Sequence, residues 1–217
     1  MKLSCIPVSF FDAIRSGSMT VEQWMDFAVE LRLDGVECAP PLLQPLGPVT
    51  PADYRRLADA RGLAISNYTA YSEFVHPDPE QRRRGLEAAM ENVAVARELG
   101  APSVRALTGQ RWPGVSEADG LRWVVDGIRR VAEQADRAGI RVNVENHTKA
   151  STWKDFDFAM QSEVFLKVID GLRGAPVGVQ FDMANPIVAD EDVLDLFAKV
   201  RDRIGYVHAN DAKTKGV

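Results

Sequence analysis

Acidic and imidazole side chains stand at or near the ends of three apolar runs in the last third of the sequence. Glu145 lies near the end of the run RVNVENH, Asp182 near the end of VGVQFDM and His208 in GYVHAND. Two carboxyl groups brought together without a cation would repel, and one would have to take up a proton. Two oxygen donors and one imidazole suit Mn²⁺, Mg²⁺, Co²⁺ or Zn²⁺ and leave coordination positions open for substrate oxygens. These residue types predict a divalent-metal centre if the fold brings the three runs together.

The three runs belong to a series of seven short β-type runs that alternate with amphipathic helical segments. The β-type runs cover residues 3–10, 35–39, 63–69, 103–109, 141–147, 177–183 and 205–211. The helical segments are 20–34, with Gly35 as a stop; one beginning at Pro51, with Thr50 as N-cap; and 83–99, 117–138, 155–173 and 190–203. Strict alternation of this kind predicts parallel strands joined by right-handed crossovers.

The polarity pattern of the last three runs favours a barrel over an open doubly wound sheet. An open sheet buries both faces of its strands under helices, whereas a barrel strand alternates between the helix layer and the interior. In the fifth run, Val142 and Val144 share one face, and Asn143, Glu145 and His147 share the other. The sixth and seventh runs alternate in the same way. Neither GxGxxG nor GxxxxGK[ST] occurs, which disfavours a nucleotide-binding sheet. The predicted fold is an α/β (β/α) TIM-type barrel with seven βα units.

Three stretches, VNVENH, VGVQFDMANP and IGYVHANDAK, resemble strands five, six and seven of the sugar phosphate isomerase/epimerase superfamily, the xylose isomerase-like TIM barrels. The likeness in strand order runs over the whole chain. It implies that Glu145, Asp182 and His208 bind a divalent metal, and that Asn185, three residues after Asp182, contacts substrate or metal. It also implies an eighth strand carrying a fourth ligand, a Glu, whereas this sequence ends at AKTKGV just past strand seven. We therefore expect residues 1–217 to be one C-terminally incomplete barrel domain, and we assign no fourth ligand.

The resemblance implies an isomerase or epimerase of a sugar or polyol that works by proton abstraction next to a carbonyl. Glu145 would act as ligand and as base, together or in turn. A metal-dependent dehydratase of a keto-polyol or keto acid uses the same chemistry, so the three strand-end residues do not distinguish the two. An apurinic endonuclease of the same superfamily needs many histidines and a basic cleft, and this chain has three histidines and a net charge of −5. A non-catalytic ligand-binding barrel is disfavoured by the presence of all three ligand residues.

Three residues are candidates for contact with a substrate beside the metal. His147 shares the inward face with Glu145, so it could hydrogen-bond a substrate hydroxyl or simply lie at the barrel rim. Lys213 could neutralise an enediolate or a phosphate, or be a surface lysine. Trp112 follows the fourth strand, where an aromatic ring could cover one face of a sugar or pack as a lid over the core.

Two charged residues lie inside predicted strands and should not stay unpaired. Arg105 falls within the fourth run, where an unpaired guanidinium would be costly, so we expect an acid partner inside the barrel, with Glu37 as the first suggestion, or a substrate group. Glu37 has inward parity in the second run. It is predicted to form a buried ion pair or to contact substrate.

The composition of the chain limits the kinds of molecule that it is expected to bind. The chain has 26 basic and 31 acidic residues, so it has no general attraction for nucleic acid or an anionic membrane surface. It has no apolar run of 18 residues and no signal peptide at its N-terminus, which predicts a cytoplasmic protein without a membrane span. The expected partner is a small sugar or polyol. A homo-oligomer is expected only by analogy with the superfamily.

Overall fold

The computed structural model describes residues 1–212, in which strands and helices alternate along the chain. The strands are β1 (Ser4–Cys5), β2 (Gly35–Cys38), β3 (Ala64–Tyr68), β4 (Ser103–Ala106), β5 (Arg141–Glu145), β6 (Val177–Asp182) and β7 (Ile204–His208). The helices are α1 (Phe11–Ser16), α2 (Val21–Glu30), α3 (Pro51–Asp59), α4 (Pro79–Leu99), α5 (Glu117–Arg137), α6 (Ser162–Gly171), α7 (Ala184–Val188) and α8 (Val193–Val200). The predicted alternation of seven strands with helices is confirmed, and Lys213 lies outside the described residues.

The bounds of two predicted elements differ most from those in the structure. The first strand stops at Cys5 instead of residue 10, because the chain turns at Pro7 into a 3₁₀ turn over Val8–Phe10 and then into α1. Proline has no backbone N–H to continue a strand ladder. The helix predicted over 155–173 begins only at Ser162, since the preceding residues form a loop bonded to the loop after β4.

The sequence predicted that Gly35 stops a helix, and the structure shows that it does not. Helix α2 ends at Glu30, and Gly35 is the first residue of β2. A Cβ atom at Gly35 would lie 2.4 Å from the carbonyl oxygen of Ala64 on the neighbouring strand. The glycine is therefore needed for close approach of β2 and β3.

The first of two compact units contains Met1–Ala70, Asn92–Val104 and Ala138–Ile140. In it β1, β2, β3 and the start of β4 pair in parallel in chain order. Trp24, Met25 and Tyr54 are among its fully buried side chains. Helix α3 begins as predicted, because the Thr50 side chain accepts a hydrogen bond from the backbone N–H of Asp53 and Pro51 occupies the first turn.

The second unit contains Tyr71–Glu91, Arg105–Arg137 and the described part of Arg141–Val217. Here β5, β6 and β7 pair in parallel in chain order. Alternate residues of β5 and β6 form an apolar core, and they are Val142, Val144, Val177, Val179 and Phe181. The residues between them carry the polar groups. The two units are made of segments that alternate along the chain, so they do not test the expectation of a single domain, which stays a prediction.

None of the helices in residues 1–212 combines the length and the apolar character that crossing a membrane requires.

Candidate metal centre

The three predicted ligands converge in the second unit. Strand pairing places Glu145 opposite Gln180, and Asp182 opposite His208. Within residues 1–212 these three residues form a cluster in which one donor atom from each lies within 4.8 Å of the others. His208 Nδ1 lies 2.9 Å from Glu145 Oε1 and 3.6 Å from Asp182 Oδ2. The convergence follows from parallel strands in register, because their carboxyl ends meet at one edge.

The donor distances fit a divalent cation. Ligand atoms about 2.1 Å from one ion, at tetrahedral or octahedral angles, lie roughly 3.0–3.4 Å from one another. The separations of 2.9 and 3.6 Å between His208 and the two carboxyl groups bracket that range. One imidazole and two carboxylates are also the donor types that Zn²⁺, Mn²⁺ and related ions accept. Glu145, Asp182 and His208 could therefore hold such an ion.

Glu145 is buried, at 1% exposure, yet the structure keeps it ionised. Burial by itself would raise its pKa, but the guanidinium of Arg105 and then the hydrogen bond with His208 hold the pKa well below its usual range. Arg105 Nη1 donates to Glu145 Oε2 at 2.8 Å. Gln180 Nε2 donates to Glu145 Oε1 at 3.1 Å. Glu145, from the next strand, is thus an acid partner of Arg105, as we expected for a buried guanidinium, and the suggested pairing with Glu37 stays a prediction.

Asp182 is held by hydrogen bonds that fix both of its carboxyl oxygens. Oδ1 accepts from the backbone N–H groups of Ala184 and Asn185, both at 2.9 Å. Oδ2 accepts from Asn210 Nδ2 at 3.1 Å and is the oxygen nearer His208. The backbone of Asp182 is bound on both sides by the side-chain amide of Asn146. A carboxyl group restrained in this way is pre-positioned as a ligand.

Asn185 and His147 both lie beside the cluster. The Asn185 amide donates to the carbonyl oxygen of Asn146 at 2.9 Å and accepts from the Thr148 hydroxyl at 3.1 Å. His147 is near enough to Glu145 that a positive charge on its ring would lower the pKa of that carboxyl group. Its ring meets the ring of Trp153 edge-on, with centroids 5.8 Å apart. Contact of either residue with a substrate stays a prediction.

The other predicted contact residues have different surroundings. Trp112 packs edge-on against His76, with ring centroids 4.2 Å apart, in the loops that follow β3 and β4. Glu37 is buried in the first unit, where it accepts a 2.5 Å hydrogen bond from the hydroxyl of Thr69. Lys213 lies outside the described part of the chain, so its contact with a substrate stays a prediction.

Sequence reasoning missed two polar residues, one bonded to the cluster and one 3.8 Å from His147. Gln180 donates to Glu145 and lies within 3.4 Å of both ring nitrogens of His208. Its inward parity in VGVQFD was the available signal. Asp157 is 1% exposed and accepts hydrogen bonds from the Thr108 hydroxyl and the Ala159 N–H. It lies in a segment that was predicted to be helical, so the pattern gave no reason to single it out.

The βα order and the polar strand ends define a (β/α) barrel with a site at the carboxyl ends of its strands. The family model described as "Xylose isomerase-like TIM barrel" matches residues 25–216, so the chain belongs to this family. This confirms both the predicted TIM-type fold and the resemblance to sugar phosphate isomerases and epimerases.

The chain is also similar to individual proteins of known sequence or structure. It is 26% identical over 171 residues to a probable endonuclease 4 from Campylobacter concisus, a match that covers 71% of this chain and 58% of that relative's length. An L-ribulose 3-epimerase superimposes with a TM-score of 0.77 at 18% identity, over 96% of this chain and 69% of that one. A D-allulose 3-epimerase from Methylomonas sp. in complex with D-allulose gives 0.74 at 18% identity, over 95% and 72%. At these identities the two structures show a shared fold.

Proposed function

We propose that the protein is a divalent-metal-dependent isomerase or epimerase of a sugar or polyol that works by proton abstraction next to a carbonyl. The observation that carries this proposal is the convergence of the Glu145, Asp182 and His208 donor atoms within 4.8 Å at the ends of three successive strands. Carboxyl ends of strands are where (β/α) barrels hold their active sites. In this proposal the three side chains hold the cation.

The cation would polarise a bound carbonyl and make the adjacent C–H more acidic. The protein's own part is then to orient the substrate and to move a proton. Glu145 is the proposed base, but its Oε1 faces His208 and Gln180 while its Oε2 accepts from Arg105. We propose that Oε2 takes the proton from carbon with its second lone pair, and that its hydrogen bond from Arg105 weakens as Arg105 turns towards the substrate, which makes Oε2 more basic.

Two of the proposed substrate contacts are polar neighbours of this cluster. Asn185, in α7, and His147, in the loop after β5, would bind hydroxyl groups. Trp112 would form an aromatic wall against the sugar, and Arg105 would contact the substrate as its bond to Glu145 weakens. Contact of Glu37 or Lys213 with substrate is part of the same proposal and rests on sequence alone.

The proposed substrate class is supported by the two solved structures with the same fold, which are named as 3-epimerases of L-ribulose and D-allulose. The runner-up is a metal-dependent dehydratase that acts on a keto-polyol or keto acid, since removal of a proton next to a carbonyl also begins the loss of water. A second class, an endonuclease, is supported by the Campylobacter relative. The net charge of −5 weighs against it, because phosphate backbones are bound by basic surfaces.

Metal content and proton exchange test the proposal together. Elemental analysis of the purified protein should find a divalent metal near one per chain, and Asp182→Ala should lose most of it. Asp202→Ala is the matched control, since Asp202 is 92% exposed and outside the cluster. With ketoses in D₂O, the parent and the control should place deuterium on carbon, and Asp182→Ala should not.

Each contrary result points to a different function. A parent protein without bound metal that also leaves ketoses unchanged would favour a non-catalytic ligand-binding barrel. Loss of water from the substrate would favour the dehydratase. Cleavage of a duplex at an abasic site would favour the endonuclease.

A further inference from the structure

A buried nitrogen and a buried oxygen face each other beside the proposed metal centre. His147 Nδ1 and Asp157 Oδ2 lie 3.8 Å apart, and neither atom has a hydrogen-bond partner within residues 1–212. The side chains are 12% and 1% exposed. Buried polar atoms without partners are costly, so complementary ones that face each other should form a hydrogen bond. A shift of roughly 1 Å would bring this pair to hydrogen-bonding distance.

Asp157 is fixed so that only Oδ2 is left for His147. Its other oxygen, Oδ1, accepts from the hydroxyl of Thr108 and from the backbone N–H of Ala159, the latter at 2.9 Å. The Asp157 N–H donates to the carbonyl oxygen of Thr148 at 2.7 Å, which ties the residue back to the end of β5. Two hydrogen bonds to the carboxyl group and one from the backbone thus hold Asp157 without involving the imidazole.

The loop that carries Asp157 is itself held in place. Residues 110 and 157 form an isolated antiparallel bridge, flanked by bonds from the Arg111 N–H to the Phe156 carbonyl at 2.7 Å and from the Phe158 N–H to the Gly109 carbonyl at 2.8 Å. The loop after β5 is therefore bonded to the loop after β4. A carboxyl group on such a support can restrain a neighbouring ring with little freedom of its own.

We propose that Asp157 is a positioning residue, which holds His147 in the Nδ1–H tautomer and turns its Nε2 towards a substrate hydroxyl beside Glu145. Which nitrogen of a histidine carries the proton is set by the hydrogen bond that the other makes. With Nδ1–H donated to Asp157, Nε2 is a hydrogen-bond acceptor on the opposite side of the ring. Trp153, edge-on to the imidazole, limits its rotation. The part that concerns substrate rests on the proposed function, whereas the tautomer does not.

The tautomer can be read without any substrate. The chain contains three histidines, so the ¹⁵N resonances of the imidazole rings can be assigned by substituting His76 and His147 in turn. In the Mg²⁺-supplemented parent, at a pH where the ring is neutral, His147 should show a protonated Nδ1 and an unprotonated Nε2. A protonated Nε2 in the parent would overturn the proposal.

Asp157→Asn is the sharpest variant because it preserves shape. The amide oxygen would keep the bonds from Thr108 and Ala159, so the NH₂ group would face Nδ1 and reverse the tautomer. The matched control is Thr108→Val, which removes a bond to Oδ1 and leaves Oδ2 in place. We expect the tautomer to reverse in the first variant and to persist in the second. If Asp157→Asn left the tautomer unchanged, Asp157 would not be what sets it, and the proposal would fall.

Kinetics then test whether the orientation matters for turnover. On a ketose that the parent exchanges in D₂O, Asp157→Asn should lower kcat by about 10–100-fold with a smaller change in KM. In a His147→Gln background the same substitution should cause no further loss, because the group that it positions is absent. A full further loss in that background would mean that Asp157 acts only on folding. An Nδ1–H tautomer in a protein without turnover would instead count against the proposed function alone.

Discussion

At the scale of single residues, the charge of Glu145 is set by its partners more than by its burial. Burial by itself raises the pKa of this carboxyl group, and the guanidinium of Arg105 is the largest of the interactions that lower it. Arg105 is 7% exposed and Glu145 is 1% exposed, so water does little to screen the pair. Removing one partner of such a pair leaves an uncompensated buried charge.

Arg105→Met should therefore destabilise the protein by about 3–5 kcal/mol when chelator is present. The pKa of Glu145 should rise in this variant, because the largest of the interactions that lower it is gone. Urea unfolding followed by circular dichroism measures the loss of stability. The matched control is Arg84→Met. The Arg84 side chain is 63% exposed and pairs with Glu80, so this substitution should change stability by about 0.5 kcal/mol or less. Equal effects of the two substitutions would contradict a buried, stabilising ion pair.

Residue types and strand parity were enough to select Glu145, Asp182 and His208, because parallel strands bring every carboxyl end to one edge. They were not enough to identify Glu145 as a partner of Arg105, because that bond depends on how two particular side chains, 40 positions apart in sequence, reach across neighbouring strands. Asp157 could not be predicted for the same reason, since the Thr108 hydroxyl that binds it lies 49 positions away in the sequence.

At the scale of elements, Glu73 joins the loop after β3 to the loop after β4. Its two carboxyl oxygens accept from the backbone N–H groups of Val75 and Gln110, each at 3.0 Å. Burial raises its pKa to about 7, against the lowering effect of those two donors, and the nearby Asp157 adds to the rise. The folded protein therefore binds a proton at Glu73 in a pH range where the unfolded chain does not.

This shift has a defined sign for stability against pH. The folded pKa of about 7 exceeds the unfolded value of about 4.3, so the contribution of Glu73 is fully present below the lower value and is lost as pH rises through 7. Between pH 5 and pH 8 the parent should lose about 2 kcal/mol more stability than Glu73→Gln, as measured by urea unfolding at each pH. Glu91→Gln, at an exposed site, should keep the parental pH dependence. Parallel curves for the parent and Glu73→Gln would rule out a raised pKa at this site.

Hydrophobic periodicity predicted the strands because each one buries a face, and six of the seven end within three residues of the predicted bound. It failed where backbone chemistry decides the outcome. The chain leaves β1 at Pro7, and α6 starts at Ser162 because hydrogen bonds to the β4 loop hold the preceding segment in a non-helical path. Neither the turn at Pro7 nor the hydrogen bonds of the segment before Ser162 can be seen in the hydrophobic periodicity of the sequence.

At the scale of the whole molecule, strict βα alternation indicated the fold class, and the family match agrees with it. Alternation works at this scale because parallel strands with right-handed crossovers leave few topologies. The eighth strand and the fourth ligand remain predictions from the resemblance. What a cation would add to stability can be tested with the 217 residues as they are.

A cation that binds the folded chain and not the unfolded one raises the melting temperature by mass action. At a concentration about 100 times the dissociation constant, the gain is roughly 2.7 kcal/mol, which for a chain of this size is a rise of about 5–10 °C. Scanning calorimetry with Mg²⁺, Mn²⁺ or Zn²⁺ added to chelator-stripped protein should show that rise in the parent and in Asp202→Ala. Asp182→Ala, which lacks one donor, should show little of it. Because Asp182, Glu145 and His208 sit on separate strands of one unit, the gain must fall in the transition that unfolds those strands. An equal rise in the parent and in Asp182→Ala would mean that the added ion binds elsewhere.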